Sequence, residues 1–258
     1  MPLTPLSETL ATNRCKNIRF VATDMDGTLT REGKFTSALF QALEALAKAR
    51  IEILVVTGRS AGWVNALTSY LPVTGAIAEN GGLFYTSSSE APEILTPLTN
   101  FTLHRQQLAE TFQFLKTQHP QLQESADNRF RLTDWTFDVQ GLSSLQLQEI
   151  SNLCQKQGWG FIYSTVQCHI KPPQQQKAAS LLQVLKQHFP QLTSEQILTV
   201  GDSPNDESLF DTSQFPFSVG VANLLDYTEQ LHHKPAYITA AAESEGFCEL
   251  AQLLLNAT

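Results

Sequence analysis

No apolar run in these 258 residues approaches the length that spans a bilayer, and the first twenty residues lack the basic start and apolar stretch of a secretion leader. Neither membrane spanning nor export is therefore expected. Cysteine is scarce: Cys15, Cys154, Cys168 and Cys248 are widely scattered and form no CxxC pair. Such spacing argues against a zinc site or a disulfide framework and fits a reducing cytoplasm. Charge is thin too, at 16% of residues where about a quarter is usual. The 23 glutamines fill that gap, so the low charge does not make the chain lipid-soluble. Positive charge is the scarcer sign, with 17 Lys+Arg against 25 Asp+Glu and a formal net charge of −8. An acidic surface repels phosphate backbones and anionic lipid, so neither nucleic acid nor membrane is an expected partner. A monomer or a weak homo-oligomer is expected. His232 and His233 are the only adjacent histidines among six, and they read as solvated surface.

Apolar residues, 42% of the chain, are patterned. Ile18 to Thr23 reads as a buried strand that ends in Asp24-Met25-Asp26-Gly27-Thr28. Leu39, Leu43 and Leu46 recur at helical spacing behind a Thr36 or Ser37 N-cap. A strand over Ile51 to Val56, a helix over Ala61 to Tyr70 and a strand over Val73 to Ala78 follow. The last third repeats the alternation: a helix through Ala178 to Phe189, strands at Ile197 to Val200, Phe217 to Val221 and Ala236 to Thr239, and a closing helix with Phe247, Leu250 and Leu254. Buried strands alternating with helices predict an α/β fold, a doubly wound parallel sheet covered on both faces.

The middle third differs. Leu108, Phe112 and Leu115 predict one helix and Leu147, Ile150 and Cys154 another. Between them Phe130, Leu132, Trp135, Phe137 and Val139 alternate like a strand with one polar face, slipping register near Asp134, and Trp159, Phe161 and Tyr163 alternate again. The expected organisation is a core of residues 1–83 and 172–258 interrupted by a smaller α+β domain, 84–171. Ser87-Ser88-Ser89 and Lys171-Pro172-Pro173 are its expected linkers.

Polar clusters lie just past the carboxyl ends of the core strands, where open parallel sheets bind ligands. They are Asp24 and Asp26, Thr57-Gly58-Arg59, and Gly201-Asp202-Ser203-Pro204-Asn205-Asp206, with Lys177 opening a helix nearby. Several carboxylates on one edge call for a hard divalent cation, and Mg²⁺ suits oxygen ligands with open water positions. A carboxylate, a metal and a lysine around one cavity can bind a phosphate and stabilise its transfer.

Asp24-Met25-Asp26-Gly27-Thr28 resembles the DxDGT signature of the haloacid-dehalogenase-like (HAD) phosphotransferases. Thr57, Lys177 and Gly201-Asp202 through Asp206 resemble that superfamily's second, third and fourth motifs, in order. The resemblance implies a Rossmann-like core and a phosphatase acting through an aspartyl-phosphate. It makes Asp24 the nucleophile and Asp26 the general acid and then base. It gives Mg²⁺ to Asp24, the backbone carbonyl of Asp26, and Asp202. Phosphate oxygens fall to Thr57, the Gly58 amide, Lys177 and Asn205, and Asp206 orients Lys177 or a metal-bound water. Arg59 reads equally well as a salt bridge or a substrate contact, and Ser60 has no assignable role.

Thirty residues between Asp26 and Thr57 leave no room for an insertion, whereas the gap from Asn80 to Lys177 holds one. That placement, with Glu79-Asn80-Gly81-Gly82, Val219-Gly220-Val221-Ala222-Asn223 and Glu245-Gly246-Phe247, resembles the C2-capped, Cof-type (subfamily IIB) branch. This branch includes sucrose-phosphate and mannosyl-3-phosphoglycerate phosphatases and eukaryotic-type phosphomannomutases. The substrate it implies is a small phosphorylated metabolite of the sugar-phosphate class. The cap residues that could meet the leaving group are Arg129, Arg131, Asp134, Trp135, His169 and Lys171. Taken singly, basic residues on a strand read as solvated and Trp135 as packing, and Cys168 as buried filler. A phosphomutase, which keeps water from the same intermediate, and a non-catalytic sensor of a phosphometabolite remain open.

Overall fold

Alternating strands and helices build the core almost where the apolar runs place them. The computed structural model describes residues 3–8, 14–88, 91–164 and 166–257. Ser89 of the expected linker, and residues 1–2 and 9–13 of the stretch read for a leader, lie outside the described residues. The strands are β1 (Thr4–Pro5), β2 (Phe20–Thr23), β3 (Glu52–Val56), β4 (Gly75–Ala78), β5 (Leu83–Thr86), β6 (Glu93–Ile94), β7 (Trp135–Asp138), β8 (Gly160–Tyr163), β9 (Gln167–Lys171), β10 (Ile197–Gly201), β11 (Ser218–Gly220) and β12 (Tyr237–Ile238). The α-helices are α1 (Ser37–Lys48), α2 (Ala61–Tyr70), α3 (Phe101–Gln118), α4 (Ser144–Lys156), α5 (Lys177–His188) and α6 (Glu243–Ala257). Among the described residues no helix is long and apolar enough to cross a membrane.

Nine of these strands form one sheet in the order β1-β12-β11-β10-β2-β3-β4-β5-β6. From β1 to β4 in that order the neighbours are parallel; β5 and β6 are antiparallel. The chain steps outward from β2 through β3 to β4, then returns to β10 and steps the other way through β11 to β12. The order therefore reverses between β2 and β10, and the loops leaving those two strands diverge to open a crevice at the carboxyl edge. Strand alternation sorts the core onto two faces. Val21, Ile53 and Val55 pack with α1, α2 and α6, while Phe20, Ala22, Leu54 and Val56 pack with α5. The α1 helix shows the local logic: Thr36 is the N-cap, its hydroxyl accepting from the Leu39 amide at 3.2 Å, and Leu39, Leu43 and Leu46 are its buried stripe.

The antiparallel β7-β9-β8 sheet stands apart, packing on α3 and α4 around Phe112, Phe137, Ile150 and Ile170. Two details differ from the sequence reading. Residues 84–86 and 93–94, expected in the inserted unit, hydrogen-bond into the main sheet as β5 and β6. A tight reversal through Glu79, Asn80 and Gly81, all at positive φ, folds β5 back on β4. Second, the strand expected to pass through Phe130 and Leu132 begins only at Trp135; residues 126–130 form a short 3₁₀ helix. The cause is the buried polar network described next, which takes the backbone amides of residues 132 and 133 out of the ladder.

Candidate active site

The Asp24 amide donates to the Val200 carbonyl on β10 at 2.9 Å, so the loop leaving β2 starts against the strand that ends in Gly201. Lys177 opens α5, and its buried Nζ donates to Asp24 Oδ1 at 2.6 Å and to Asp206 Oδ1 at 2.7 Å. Asp206 Oδ2 accepts from the amides of Asp202 at 3.0 Å and Ser203 at 3.2 Å. Both Asp206 oxygens are thus occupied, and the residue orients Lys177 and the loop. Asp202 accepts from Thr28 Oγ1 at 3.3 Å and Asn223 Nδ2 at 2.9 Å. Gly27 has φ +83°, and a side chain there would fall on the Asp202 carboxylate. No protein group among the described residues bonds Asp24 Oδ2.

The carboxylates of Asp24, Asp202 and Asp206 lie within 4.8 Å of one another. Burial and then Asp206 push Asp24 up to about 8. Burial, then Asp24 and Asp206, hold Asp202 well above the usual carboxylate range. Burial lowers Lys177, but Asp206 and Asp24 outweigh it and raise the ammonium above an ordinary lysine. Acid and base both rise because three carboxylates share one ammonium. The two negative charges left over fit a divalent cation with oxygen ligands. The candidates to hold it are Asp24, through its open Oδ2, and Asp202, whose oxygens accept only from the neutral Thr28 and Asn223 side chains.

Asp26 is turned elsewhere. Its two oxygens accept from Arg59 Nη2 at 2.6 Å and Nε at 2.8 Å. Arg59 therefore makes a salt bridge inside the site, its guanidinium 5.1 Å from the Trp63 ring. The Asp26 side chain is thereby committed to Arg59; the donor expected from this residue for the metal is its backbone carbonyl. Thr57 Oγ1 accepts from the Arg59 amide at 3.1 Å, which leaves its hydroxyl proton free to donate. Asn205 Oδ1 accepts from Ser203 Oγ at 2.6 Å, and its Nδ2 donates to Asn80 Oδ1 at 3.3 Å. Ser60 occupies the N-cap of α2 without a capping bond; Glu79 Oε1 accepts from the Ala61 amide at 3.0 Å instead.

The residues of the inserted unit divide sharply. Arg131, read alone as solvated, has a fully buried side chain. Its Nη1 donates to both Asp134 oxygens at 3.0 Å and, across to the core, to the Gly58 carbonyl at 2.9 Å. Its Nη2 donates to Asp127 at 3.0 Å and Gln167 at 2.9 Å. Burial of the guanidinium is offset by these acceptors on Nη1 and Nη2, while its buried Nε has no partner among the described residues. Asp134 also accepts from His169 Nδ1 at 2.8 Å. His169 lines a cavity of about 10 Å³ with Asp24, Asp26, Thr57, Gly58 and Asn205. Arg129 is exposed over the Phe130 ring at 4.8 Å, and Trp135 stacks with Arg105 at 4.3 Å; neither joins that cavity. Cys168 is buried, and its thiol is raised by that burial.

Lys171 points to the Gln175 carbonyl, and burial lowers its ammonium to about 8 from 10.5. Below pH 8 the folded protein holds that charge out of water. Between 8 and 10.5 the unfolded chain keeps a proton the folded one has lost, so stability rises with pH. Lys171→Met is expected to be more stable than wild type at pH 7, by about 1–3 kcal/mol. That gain shrinks as pH climbs through 8 to 10, and urea melts at pH 7 and 10 check it.

Two residues escaped the sequence reading as functional groups. The buried Glu79 carboxylate accepts from the amides of Leu132 at 3.0 Å and Thr133 at 2.6 Å and from Thr133 Oγ1 at 2.7 Å, tying the end of β4 to the inserted unit. Asn80 is buried with Nδ2 unpartnered. Their signal was the Glu-Asn-Gly-Gly turn, legible only as a family signature. A second, wider cleft of about 820 Å³ separates β8 from the start of α5, with Trp159, Phe161 and Lys171 on one wall and Lys177 and Asn205 on the other.

The family model of sucrose-6F-phosphate phosphohydrolase matches residues 18–251. A phosphoglycolate phosphatase of Methanothrix thermoacetophila is 27% identical over 237 residues, covering 90% of this chain and 95% of its own. A Thermoplasma acidophilum crystal structure superimposes with TM-score 0.73 at 20% identity, covering 93% of this chain and 99% of that one. A Synechocystis sucrose-phosphatase, solved with sucrose and phosphate, superimposes with TM-score 0.65 at 17% identity, covering 91% and 97%. At those identities the two structures show the shared fold.

Proposed function

This chain belongs to the sucrose-6F-phosphate phosphohydrolase family of HAD-type phosphoric monoester hydrolases, and from that premise we propose that it is a Mg²⁺-dependent phosphatase of sugar phosphates working through an aspartyl-phosphate. One observation carries the reading: Lys177 binds Asp24 Oδ1 and leaves Oδ2 without a protein partner in the cavity that Thr57 and Gly58 also line. A carboxylate fixed by one oxygen presents the other as nucleophile.

In this reading Asp24 Oδ2 attacks phosphorus, and Lys177 holds charge on the nucleophile and on a phosphate oxygen. The Thr57 hydroxyl, the Gly58 amide and Asn205 orient the remaining phosphate oxygens. Asp26 leaves Arg59 to protonate the departing oxygen, since a carboxylate gripped by a guanidinium can only accept. Afterwards the same carboxylate takes a proton from the water that opens the acyl-phosphate. Asp24, Asp202 and the Asp26 carbonyl would hold Mg²⁺, which would supply positive charge against the phosphate. The unit built on β7–β9 serves as a cap that excludes bulk water. A cavity of about 10 Å³ holds about one water, so substrate entry requires that cap to lift.

A sugar-sized leaving group is supported by the match to the sucrose-6F-phosphate phosphohydrolase model; the 820 Å³ cleft adjoins the smaller cavity at Asn205 and offers room beside it. Phosphoglycolate is the second reading, favoured by the Methanothrix relative. Phosphate release from a panel of sugar phosphates and 2-phosphoglycolate, with Mg²⁺ and with EDTA, separates the two. Metal-dependent release is the expected result; isomerised sugar phosphate without free phosphate would establish a mutase instead. Mg²⁺ at a hundred times its Kd is also expected to stabilise the fold by about 2.7 kcal/mol, a melting shift of roughly 5–10 °C. No shift in a thermal melt would count against the carboxylate cluster as its site.

A further inference from the structure

His169 sits on β9 with its ring against the Thr57-Gly58 loop of the core. Its Cε1 and Nε2 stand 3.1 and 3.2 Å from where a side chain on residue 58 would begin, so any side chain at 58 would crowd the imidazole. Nδ1 is fixed at 2.8 Å from Asp134 Oδ2. Asp134 is itself held as a carboxylate by Arg131, which donates to both its oxygens. An ionised carboxylate only accepts, so Nδ1 carries the proton and Nε2 presents a lone pair. Burial keeps a second proton off the ring, and although Asp134 favours it, Arg131 and Lys177 oppose it. Nε2 makes no hydrogen bond among the described residues, and His169 lines the cavity that holds Asp24 and Asp26.

An acceptor fixed beside the phosphate loop needs a donor from the substrate and repels an anion. We propose that His169 selects the leaving group by accepting, through Nε2, a hydrogen bond from one of its hydroxyls. The site then takes phosphate esters of polyols and disfavours esters whose second function is a carboxylate. This rests on the phosphatase reading above and adds a specificity to it. Asp134 and Arg131 act through His169 by fixing which nitrogen faces the substrate, as outer partners of functional histidines do.

The test is kcat/KM for a matched set: glycerol 3-phosphate, which offers hydroxyls; propyl phosphate, which offers none; and 2-phosphoglycolate, which offers a carboxylate. Wild-type enzyme is expected to prefer glycerol 3-phosphate over propyl phosphate by about tenfold, the worth of one good hydrogen bond, and to rank 2-phosphoglycolate last. His169→Gln, whose amide oxygen can accept near the position of Nε2, is expected to keep the hydroxyl preference. His169→Leu is expected to lose it. The wild-type ranking stands as a test even if a variant fails to fold. Absence of a hydroxyl preference in wild type, a preference for 2-phosphoglycolate, or an equal loss on all three substrates in His169→Leu would overturn the inference. p-Nitrophenyl phosphate separates this failure from the other: release from it without hydroxyl preference sinks the inference alone. No release from it or from the matched set sinks the phosphatase reading as well.

Discussion

Asp24→Asn is expected to release no phosphate from any substrate the wild type hydrolyses, a fall in kcat of about 10⁴-fold or more, while making the metal-free fold more stable. The stability half follows from the crowding of carboxylates. Asp24 sits at about 8 because burial and Asp206 outweigh the help from Lys177. In the unfolded chain it ionises near 3.8, so the folded protein must hold a proton the unfolded one has released. Stability contributed by this group is therefore lost as pH rises from about 4 to about 8. Asparagine keeps the shape, does not titrate and leaves Lys177 paired with Asp206. The variant's advantage in EDTA should be small at pH 5 and reach on the order of 1–3 kcal/mol at pH 8. Thermal melts of the two proteins at both pH values check it. A variant less stable than wild type at pH 8 would mean that Asp24 is not a strained group. A catalytic carboxylate that costs stability until its ligand arrives is an ordinary form of the stability–activity trade.

Lys177→Met is expected to fail in both respects. Its ammonium is the only cation directly on Asp24 and Asp206 among the described residues. Removing it leaves buried carboxylates uncompensated, for which about 3–5 kcal/mol is the usual penalty. That corresponds to a melting point lower by roughly 10 °C. The loss in kcat should be about 10²–10³-fold or greater, as for removal of a donor to developing charge. Lys177→Arg should not rescue activity, because a planar fork cannot replace a point charge between two carboxylates 2.6 and 2.7 Å away. Mg²⁺ should recover part of the lost stability by supplying positive charge to the same cluster. Equal melting points for Lys177→Met and wild type would show that the buried pair contributes nothing to the fold.

The two variants separate roles that the sequence cannot. Asp24, Lys177, Asp202 and Asp206 all read as polar residues in motifs, and strand ends alone bring them to one edge. That one of them strains the fold while another relieves it depends on distances across the crevice between β2 and β10.

By itself the sequence determined the frame. Apolar runs of strand length and helical stripes such as Leu39, Leu43 and Leu46 fix which segments are buried, because periodicity is a local property of the chain. The motif loops at Asp24, Thr57 and Asp202 fall at carboxyl ends of parallel strands for the same reason. The sequence also narrowed the cap of α1 to Thr36 or Ser37, and the family resemblance gave Asp206 either Lys177 or a metal-bound water to orient. Only the tertiary structure decided the polar pairings. Arg59 grips Asp26 from a loop 33 residues on, and Glu79 takes the amides of residues 132 and 133, which ends the expected alternation through Phe130 and Leu132. Arg131 read as solvent-exposed because a charge on a strand is normally left in water. It is buried because Asp134, Asp127, Gln167 and the Gly58 carbonyl converge on it from three separate segments. Asp127 and Asp134 are near in sequence, but Gln167 and Gly58 are 36 and 73 residues away, and no local pattern records that they close over the same charge. The orientation of His169, set by Asp134 35 residues away, is of the same kind.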